Sequence, residues 1–257
     1  MATALIKGIL AAGLHRASEI WAADTLPEKR RGAERRYKIA ATADNRALVR
    51  GSEIVVLAVK PQILAEVLDE VRPEVTTRQL FVSIAAGVPL RRLESGLGGR
   101  ARVVRVMPNT PALLGKGMSV IVRGSRATAA DLRTALRIFR AVGDAIAIEE
   151  ERLLDPVTGL SGSGPAYVYR FAEALIEAGI RQGLSDDVSN RLVFQTLDGA
   201  TAMLRGTKLP PKELREMVSS PGGTTLAGLA ELDKSGFFEA VVGAVAAATA
   251  RSKELAG

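Results

Sequence analysis

Cysteine is absent from this 257-residue sequence, and histidine occurs once, as His15. Without cysteine the chain can form no disulfide and no thiolate metal site, and it has no cysteine nucleophile. A single histidine, placed on a predicted first helix, also removes Ser-His-Asp catalysis and most zinc sites. We therefore expect neither a metal centre nor a catalytic triad.

Aromatic residues are scarce, at 4% of the sequence, although the formal net charge is +7. A surface that binds single-stranded nucleic acid needs aromatic rings interleaved with its positive charge. Here the basic residues are spread out, apart from short runs at 29–31 and 35–36. We therefore expect no nucleic-acid partner, and attraction of small anions accounts better for the charge.

Long hydrophobic runs are also missing, since none approaches the ~18 residues of a membrane span. The longest candidate, residues 240–250, is a short alanine and valine helix that suits a packing surface. Residues 1–14 are apolar but include Lys7, and no basic region precedes them, which indicates an amphipathic helix and not a signal peptide. The sequence predicts no membrane partner and a cytoplasmic location.

The hydrophobic patterns divide the chain into two parts. Residues 1–150 alternate short apolar runs with helical patterns, which is typical of a parallel α/β sheet. The run at 54–59 is apolar throughout and predicts a central strand that is buried on both faces. From Glu149 onward the strand patterns stop. We predict an α/β domain over 1–150 and an all-helical domain over 151–257, which forms a dimer through its apolar faces.

Asp24 ends an early predicted strand at 20–23. This is the position of the acidic residue that binds the adenosine ribose in dinucleotide-binding folds. The neighbouring Thr25, Lys29 and Arg30 suit a 2′-phosphate instead, so the residues leave NAD and NADP open. The G-x-G-x-x-G turn that should precede Asp24 is absent, because the sequence starts inside the helix that would follow that turn.

A turn at 219–225 combines hydroxyl side chains with special backbone residues. Pro221 fixes one φ angle, and Gly222 and Gly223 permit backbone shapes that other residues avoid. Ser219, Ser220, Thr224 and Thr225 supply the hydroxyls, and an apolar helical pattern follows. N–H groups at such a helix start bind carboxylates, although an ordinary connection between helices has the same composition.

A glycine-rich joint at 159–165 does not match the G-x-S-x-G nucleophile elbow, because Ser161 stands at its first glycine position. We interpret its small residues as the point where a helix start approaches another part of the backbone.

Four motifs together resemble pyrroline-5-carboxylate reductase, the last enzyme of proline biosynthesis. They are LAVKPQ at 57–62, VMPNTP at 106–111, GLSGSGPAY at 159–167 and VSSPGGTTLAG at 218–228. The resemblance covers the whole chain. It implies a Rossmann-like dinucleotide-binding domain followed by a helical dimerisation domain, and reduction of the cyclic imine to L-proline by NADPH, with NADH as the alternative donor.

The resemblance also implies the site residues. Asn45 would lie near the adenosine; Ala58, Lys60 and Pro61 would lie beside the cofactor; and Met107, Asn109 and Thr110 would lie near the nicotinamide. The substrate loop would comprise Ser220, Gly222, Gly223, Thr224 and Thr225, with Thr225 reaching the ring nitrogen. In the family this loop lies at the interface of a homodimer formed by swapped helical domains, which can assemble further.

The sequence departs from the family at its beginning, where a first strand and its glycine turn are missing. In the strand order 3-2-1-4-5-6 that strand is central, between 20–23 and 54–59. Either the start is misassigned, or the chain is a shortened paralogue that reduces poorly or acts as an oligomeric scaffold. A related reductase of the β-hydroxyacid dehydrogenase type is another alternative, but it requires a catalytic lysine in the helical domain. The lysines there are Lys208, Lys212, Lys234 and Lys253.

Overall fold

The computed structural model describes residues 1–256. The strands in this range are β1 (Trp21–Ala23), β2 (Ala40–Thr42), β3 (Ile54–Leu57), β4 (Leu80–Ser83), β5 (Arg102–Pro108), β6 (Gly117–Arg123) and β7 (Gly143–Ala147). The helices are α1 (Ala2–Ala11), α2 (Pro27–Tyr37), α3 (Asn45–Arg50), α4 (Pro61–Val71), α5 (Leu90–Gly96), α6 (Ala129–Arg140), α7 (Leu154–Val157), α8 (Gly164–Arg181), α9 (Asp186–Thr207), α10 (Pro211–Met217), α11 (Thr224–Lys234) and α12 (Phe237–Ala256). All seven strands precede Glu149, as the hydrophobic patterns predict.

The strands form two sheets. The larger sheet has the order β3-β4-β5-β6-β7, in which β3, β4 and β5 are parallel and β6 runs antiparallel to β5. The smaller sheet pairs β1 with β2 in parallel. Within residues 1–256, β1 pairs only with β2 and β3 pairs only with β4. β3 is therefore an edge strand with one face half-buried, and the prediction of a central strand buried on both faces is wrong. The chain therefore forms two separate sheets, which agrees with the missing strand that the resemblance predicts between β1 and β3.

The core lies on both faces of the larger sheet. On one face, Val103 and Phe81 pack with Leu64 and Leu93 from α4 and α5. The alternate strand residues, such as Val104, face the opposite side, where they pack with side chains of α1 and α6. Burial on both faces explains why β4, β5 and β6 are mostly apolar instead of alternating regularly with polar residues.

Two compact units make up the chain. The first comprises Met1–Ser163 together with the segment that starts at Ala246, and the second comprises Gly164–Val245. These units do not divide at residue 150, and the predicted domain boundary stays a prediction. The end of α12 belongs to the first unit, where the hydroxyl of the buried Ser252 donates to Asp155 Oδ1 at 2.7 Å.

The second unit is an assembly of helices with little core of its own. Its first two helices pack closely where Gly179 of α8 meets the side chain of Ser189 on α9. Ala172 and Val193 are its buried hydrophobic residues. No helix within residues 1–256 combines the length and the apolar character that crossing a membrane requires.

Candidate active site

The parallel strands of the larger sheet end at one edge, where several of the predicted cofactor residues lie. Leu57, Ser83 and Arg105 are aligned across β3, β4 and β5, so the residues that follow each strand emerge on the same side. This edge is where open α/β sheets bind their ligands. The predicted residues that the structure brings to it are Ala58, Lys60, Pro61, Met107, Asn109 and Thr110.

The backbone between β3 and α4 changes direction at Lys60. Lys60 is the N-cap of α4 in extended conformation, and Pro61 takes the first helical position, where its missing N–H costs nothing. Ala58 and Lys60 are both exposed. Exposure of Ala58 and positive charge at Lys60 form a surface that suits an anionic dinucleotide.

Asp24 stabilises the turn before α2. Its Oδ1 accepts a hydrogen bond from the Leu26 N–H at 3.0 Å, and Lys29 Nζ lies 3.7 Å from Oδ2. Arg30 donates to the carbonyl oxygens of Asp24 and Thr25. All four residues suggested for the adenosine ribose or a 2′-phosphate are thus brought together, and the Asp24 carboxylate is paired with Lys29.

Asn45 begins α3 and is held from α4. Its Nδ2 donates to Glu70 Oε2 at 2.8 Å, and Arg46 donates to the Glu70 carbonyl oxygen. Glu70 is not recognisable from the sequence, because a glutamate near the end of a helix gives no signal of a partner 25 residues away. The bond leaves the Asn45 Oδ1 free to accept a hydrogen bond.

A second contact fixes the other end of α3. The guanidinium of Arg50 meets the Glu74 carboxylate through two hydrogen bonds of 2.9 Å each. Hydrogen bonding from Arg50, with its positive charge, lowers the pKa of Glu74 below the usual carboxyl range. The same contact raises the pKa of Arg50.

Asn109 directly follows β5, and both the oxygen and the nitrogen of its side-chain amide form hydrogen bonds. Its Oδ1 accepts from the Met118 N–H at 2.8 Å, and its Nδ2 donates to the Ser161 carbonyl oxygen at 3.2 Å. Its backbone N–H also donates to the Met118 carbonyl oxygen. Asn109 therefore joins β5, β6 and the glycine-rich joint, and its amide is not free for a cofactor in this arrangement.

The first part of the glycine-rich joint lies in a π-helical turn over Thr158–Gly162. A 2.8 Å hydrogen bond from the Ser163 N–H to the Thr158 carbonyl oxygen closes this turn. Single π-helical turns are rare in proteins, and those that occur often lie at functional sites. The nearest neighbour of Gly162 is the side chain of Met107, whereas the sequence predicts another part of the backbone there.

The predicted substrate loop lies in the second unit and connects α10 to α11. Gly222 has a φ of 70°, which favours glycine, and the Gly223 N–H donates to the Ser220 carbonyl oxygen at 3.0 Å. Gly223 is the N-cap of α11 and has no side chain to cap it. Thr224 and Thr225 occupy the first two helical positions, where N–H groups have no partner within the helix.

The lysines of the helical region have ordinary surface roles. Lys208 closes α9 as its C-cap, and Lys212 and Lys234 form exposed ion pairs with Glu216 and Glu231. A catalytic lysine usually needs burial or a nearby positive charge, whereas Lys208, Lys212 and Lys234 are exposed. Within residues 1–256, no group of three or more metal-binding side chains lies together.

Comparisons with known proteins decide the family. A family model described as pyrroline-5-carboxylate reductase dimerisation matches residues 151–255, and one described as NADP oxidoreductase, coenzyme F420-dependent, matches residues 1–87. The pyrroline-5-carboxylate reductase of Methanosarcina acetivorans is 42% identical, over 99% of this chain and 94% of the relative. The chain belongs to the pyrroline-5-carboxylate reductase family.

Solved structures of this family share the whole fold. The enzyme of Coxiella burnetii superimposes with a TM-score of 0.94 at 33% identity, covering 100% of this chain and 95% of that one. The Plasmodium falciparum enzyme, solved with NADP bound, has a TM-score of 0.89 at 34% identity, covering 99% and 94%. The predictions of a Rossmann-like domain followed by a helical domain, and of an NADPH-dependent reductase of this family, are confirmed.

The residues at the sheet edge fit a nicotinamide dinucleotide. Three parallel strands end on the same side of the sheet. Lys60 supplies positive charge, Thr110 is exposed and Met107 is half-buried. Asp24 and Asn45 present oxygen acceptors of the kind that bind ribose hydroxyls. The individual cofactor and substrate contacts stay predictions.

Proposed function

We propose that this chain reduces pyrroline-5-carboxylate to L-proline through the turn that joins α10 to α11. The observation that carries this assignment is the uncapped start of α11 behind Gly223, flanked by the hydroxyls of Ser220, Thr224 and Thr225. Backbone N–H groups at a helix start attract a carboxylate, and the helix dipole adds to this attraction. The substrate carries one carboxylate, which these groups would hold.

Thr225 has the most specific role in this proposal. It is half-buried at the second position of α11, and its hydroxyl would donate to or accept from the ring nitrogen of the substrate. The imine carbon is most electrophilic when the nitrogen is protonated, and that proton can come from solution. The protein therefore needs to orient the substrate and requires no strong general acid.

For the cofactor, we assign Asn45 and Asp24 to the adenosine half. The residues assigned to the rest of the cofactor molecule are Ala58, Lys60, Pro61, Met107 and Thr110. NADPH, when bound, supplies the hydride that the imine carbon accepts, while the nitrogen keeps its proton. We assign Asn109 to holding this surface in place, because its amide already bonds to Met118 and Ser161. NADH stays the alternative donor.

We also propose a homodimer through the helical unit and a cytoplasmic location. The unit Gly164–Val245 buries only Ala172 and Val193 among its hydrophobic side chains, whereas Phe194, Tyr169 and Phe238 are 58%, 58% and 71% exposed. Burying one such aromatic ring contributes about 1.5–3 kcal/mol. A second copy of the same helices would cover these side chains, which accords with the family description for residues 151–255.

The activity is tested by mixing the purified chain with pyrroline-5-carboxylate and NADPH and following the loss of NADPH absorbance. Proline formation, quantified in parallel, distinguishes reduction from unrelated NADPH oxidation. Absence of turnover with NADPH and with NADH would favour the alternative of an oligomeric scaffold.

The role of Thr225 is tested by Thr225→Ala, with Thr225→Ser as the matched control that retains the hydroxyl. We expect the alanine variant to lose ~10-fold or more in kcat/KM, the scale of one hydrogen bond of ~1.5 kcal/mol. The serine variant should recover most of this loss. Equal kinetics in all three proteins would remove the role assigned to Thr225.

A further inference from the structure

Gly162 leaves a space that the side chain of Met107 occupies. A Cβ atom added at Gly162 would lie 2.4 Å from the terminal methyl carbon of Met107, and its next neighbour would be Thr158 Cγ2 at 3.6 Å. Real side chains essentially never approach a Cβ to within 3.0 Å. Any other residue at position 162 would therefore displace the Met107 methyl group.

Gly162 cannot simply move aside, because the turn around it is held from two directions. The Ser163 N–H closes the π turn on the Thr158 carbonyl oxygen at 2.8 Å. The preceding residue, Ser161, accepts a hydrogen bond from Asn109, which follows Met107 by two positions. The joint and the end of β5 are thus fixed to each other on both sides of the contact.

We propose that Gly162 is a positioning residue for the reduction, acting through Met107. The inference rests on the proposed function, because Met107 is assigned to the nicotinamide there. The missing side chain at Gly162 determines where the Met107 thioether lies, and Met107 in turn forms part of the surface that the nicotinamide ring would contact.

The effect of Gly162→Ala follows from these distances. To restore an ordinary contact of at least 3.4 Å from the present 2.4 Å, the methyl group must move by about 1 Å. The displaced atom is the flexible end of a methionine, so folding should be nearly unaffected. A misplacement of about 1 Å in a group that orients a reactant can cost up to ~10²-fold in rate.

The contact is tested without any turnover by labelling the methionine methyl groups with ¹³C. The chain has five methionines, so the Met107 signal can be assigned by its loss in Met107→Ala. We expect Gly162→Ala to shift the Met107 signal. Gly164→Ala is the matched control, because a Cβ at Gly164 has no neighbour within 4 Å, and it should leave that signal in place.

The positioning role is tested by a double-mutant cycle in kcat. We expect Gly162→Ala to lower kcat ~10-fold or more while the midpoint of thermal unfolding stays within about 2 °C. In the Met107→Ala background, where the space is vacated, the same change should have almost no effect. An equal loss in both backgrounds, or an unchanged Met107 signal in Gly162→Ala, would overturn the proposal.

One further titration separates this inference from the proposed function. NADPH added to the unaltered protein should shift the Met107 signal. If it shifts this signal but Gly162→Ala does not, the positioning role alone fails. If NADPH leaves the signal unchanged, the nicotinamide does not lie at Met107, and the positioning role is overturned together with that assignment.

Discussion

Removing the carboxylate of Glu151 should destabilise the first unit more than its surface position suggests. Glu151 Oε1 accepts from Arg105 Nη1 at 2.6 Å and from the Leu90 N–H at 2.7 Å. Arg105 lies in the middle of β5 and its side chain is 7% exposed, whereas that of Glu151 is 29% exposed. One carboxylate oxygen therefore satisfies a buried cation and the first N–H of α5.

The magnitude follows from what Glu151→Ala leaves behind. A fully buried cation without its partner costs about 3–5 kcal/mol. Water already reaches Glu151, and it would partly hydrate Arg105 in the cavity that the substitution opens, so we lower this figure to about 2–3 kcal/mol. The unpaired Leu90 N–H adds about 1 kcal/mol. A total of about 3–4 kcal/mol corresponds to a fall of roughly 6–16 °C in the unfolding temperature.

Urea unfolding followed by tryptophan fluorescence measures this loss. Trp21 is the only tryptophan and lies in the same unit as Arg105 and Glu151. The neighbouring Glu150→Ala is the matched control, because the pair between Glu150 and Arg152 is exposed and should contribute less than about 1 kcal/mol.

Glu151→Gln keeps an oxygen acceptor without the charge and should lie between the unaltered protein and Glu151→Ala. Equal destabilisation by Glu150→Ala and Glu151→Ala, with unchanged denaturant dependence, would refute the reasoning from burial.

Two more predictions concern the oligomer and the anchoring of α3. Phe238→Asp places a charge on a side chain that is 71% exposed in the single chain, and analytical ultracentrifugation should detect monomers; a persistent dimer would exclude this surface from the interface. Because Arg50 lowers the pKa of Glu74, their contact stabilises the folded chain above the ordinary carboxyl pKa and loses this effect as the pH falls through the lowered one. Glu74→Gln should therefore reduce the unfolding temperature at neutral pH but not in strong acid, and a deficit that persists in acid would contradict this cause.

The sequence predicted those features of the fold that depend on residues adjacent in the chain. The apolar run at 54–59 forms a strand over Ile54–Leu57, although it lies at the sheet edge and not at the predicted central position. The turn around Gly222 has the positive φ that its two glycines permit. These features follow from local sterics and from the apolar character of a short run of residues, which a short stretch of sequence specifies by itself.

Side-chain partners across the fold could not be predicted in this way. The sequence assigned Asn109 to the cofactor, which stays a prediction, and gave no sign that its amide bonds to Ser161 and Met118, 52 and 9 residues away. Glu70 had no assigned role, although it holds Asn45. The residue type determines which hydrogen bonds a side chain can form, but its actual partner depends on how the helices and strands pack.

By itself, the sequence determined that an α/β region is followed by a helical region. It also contained the motifs at strand ends and turns that indicate the family. The tertiary structure decided which of those motifs meet. Gly162, within the joint at 159–165, has no visible reason in its own neighbourhood, since the position is helical and does not have a positive φ. The reason is the methyl group of Met107, which arrives from a strand more than 50 residues earlier. Only close packing of the β5 end against the π turn creates that requirement.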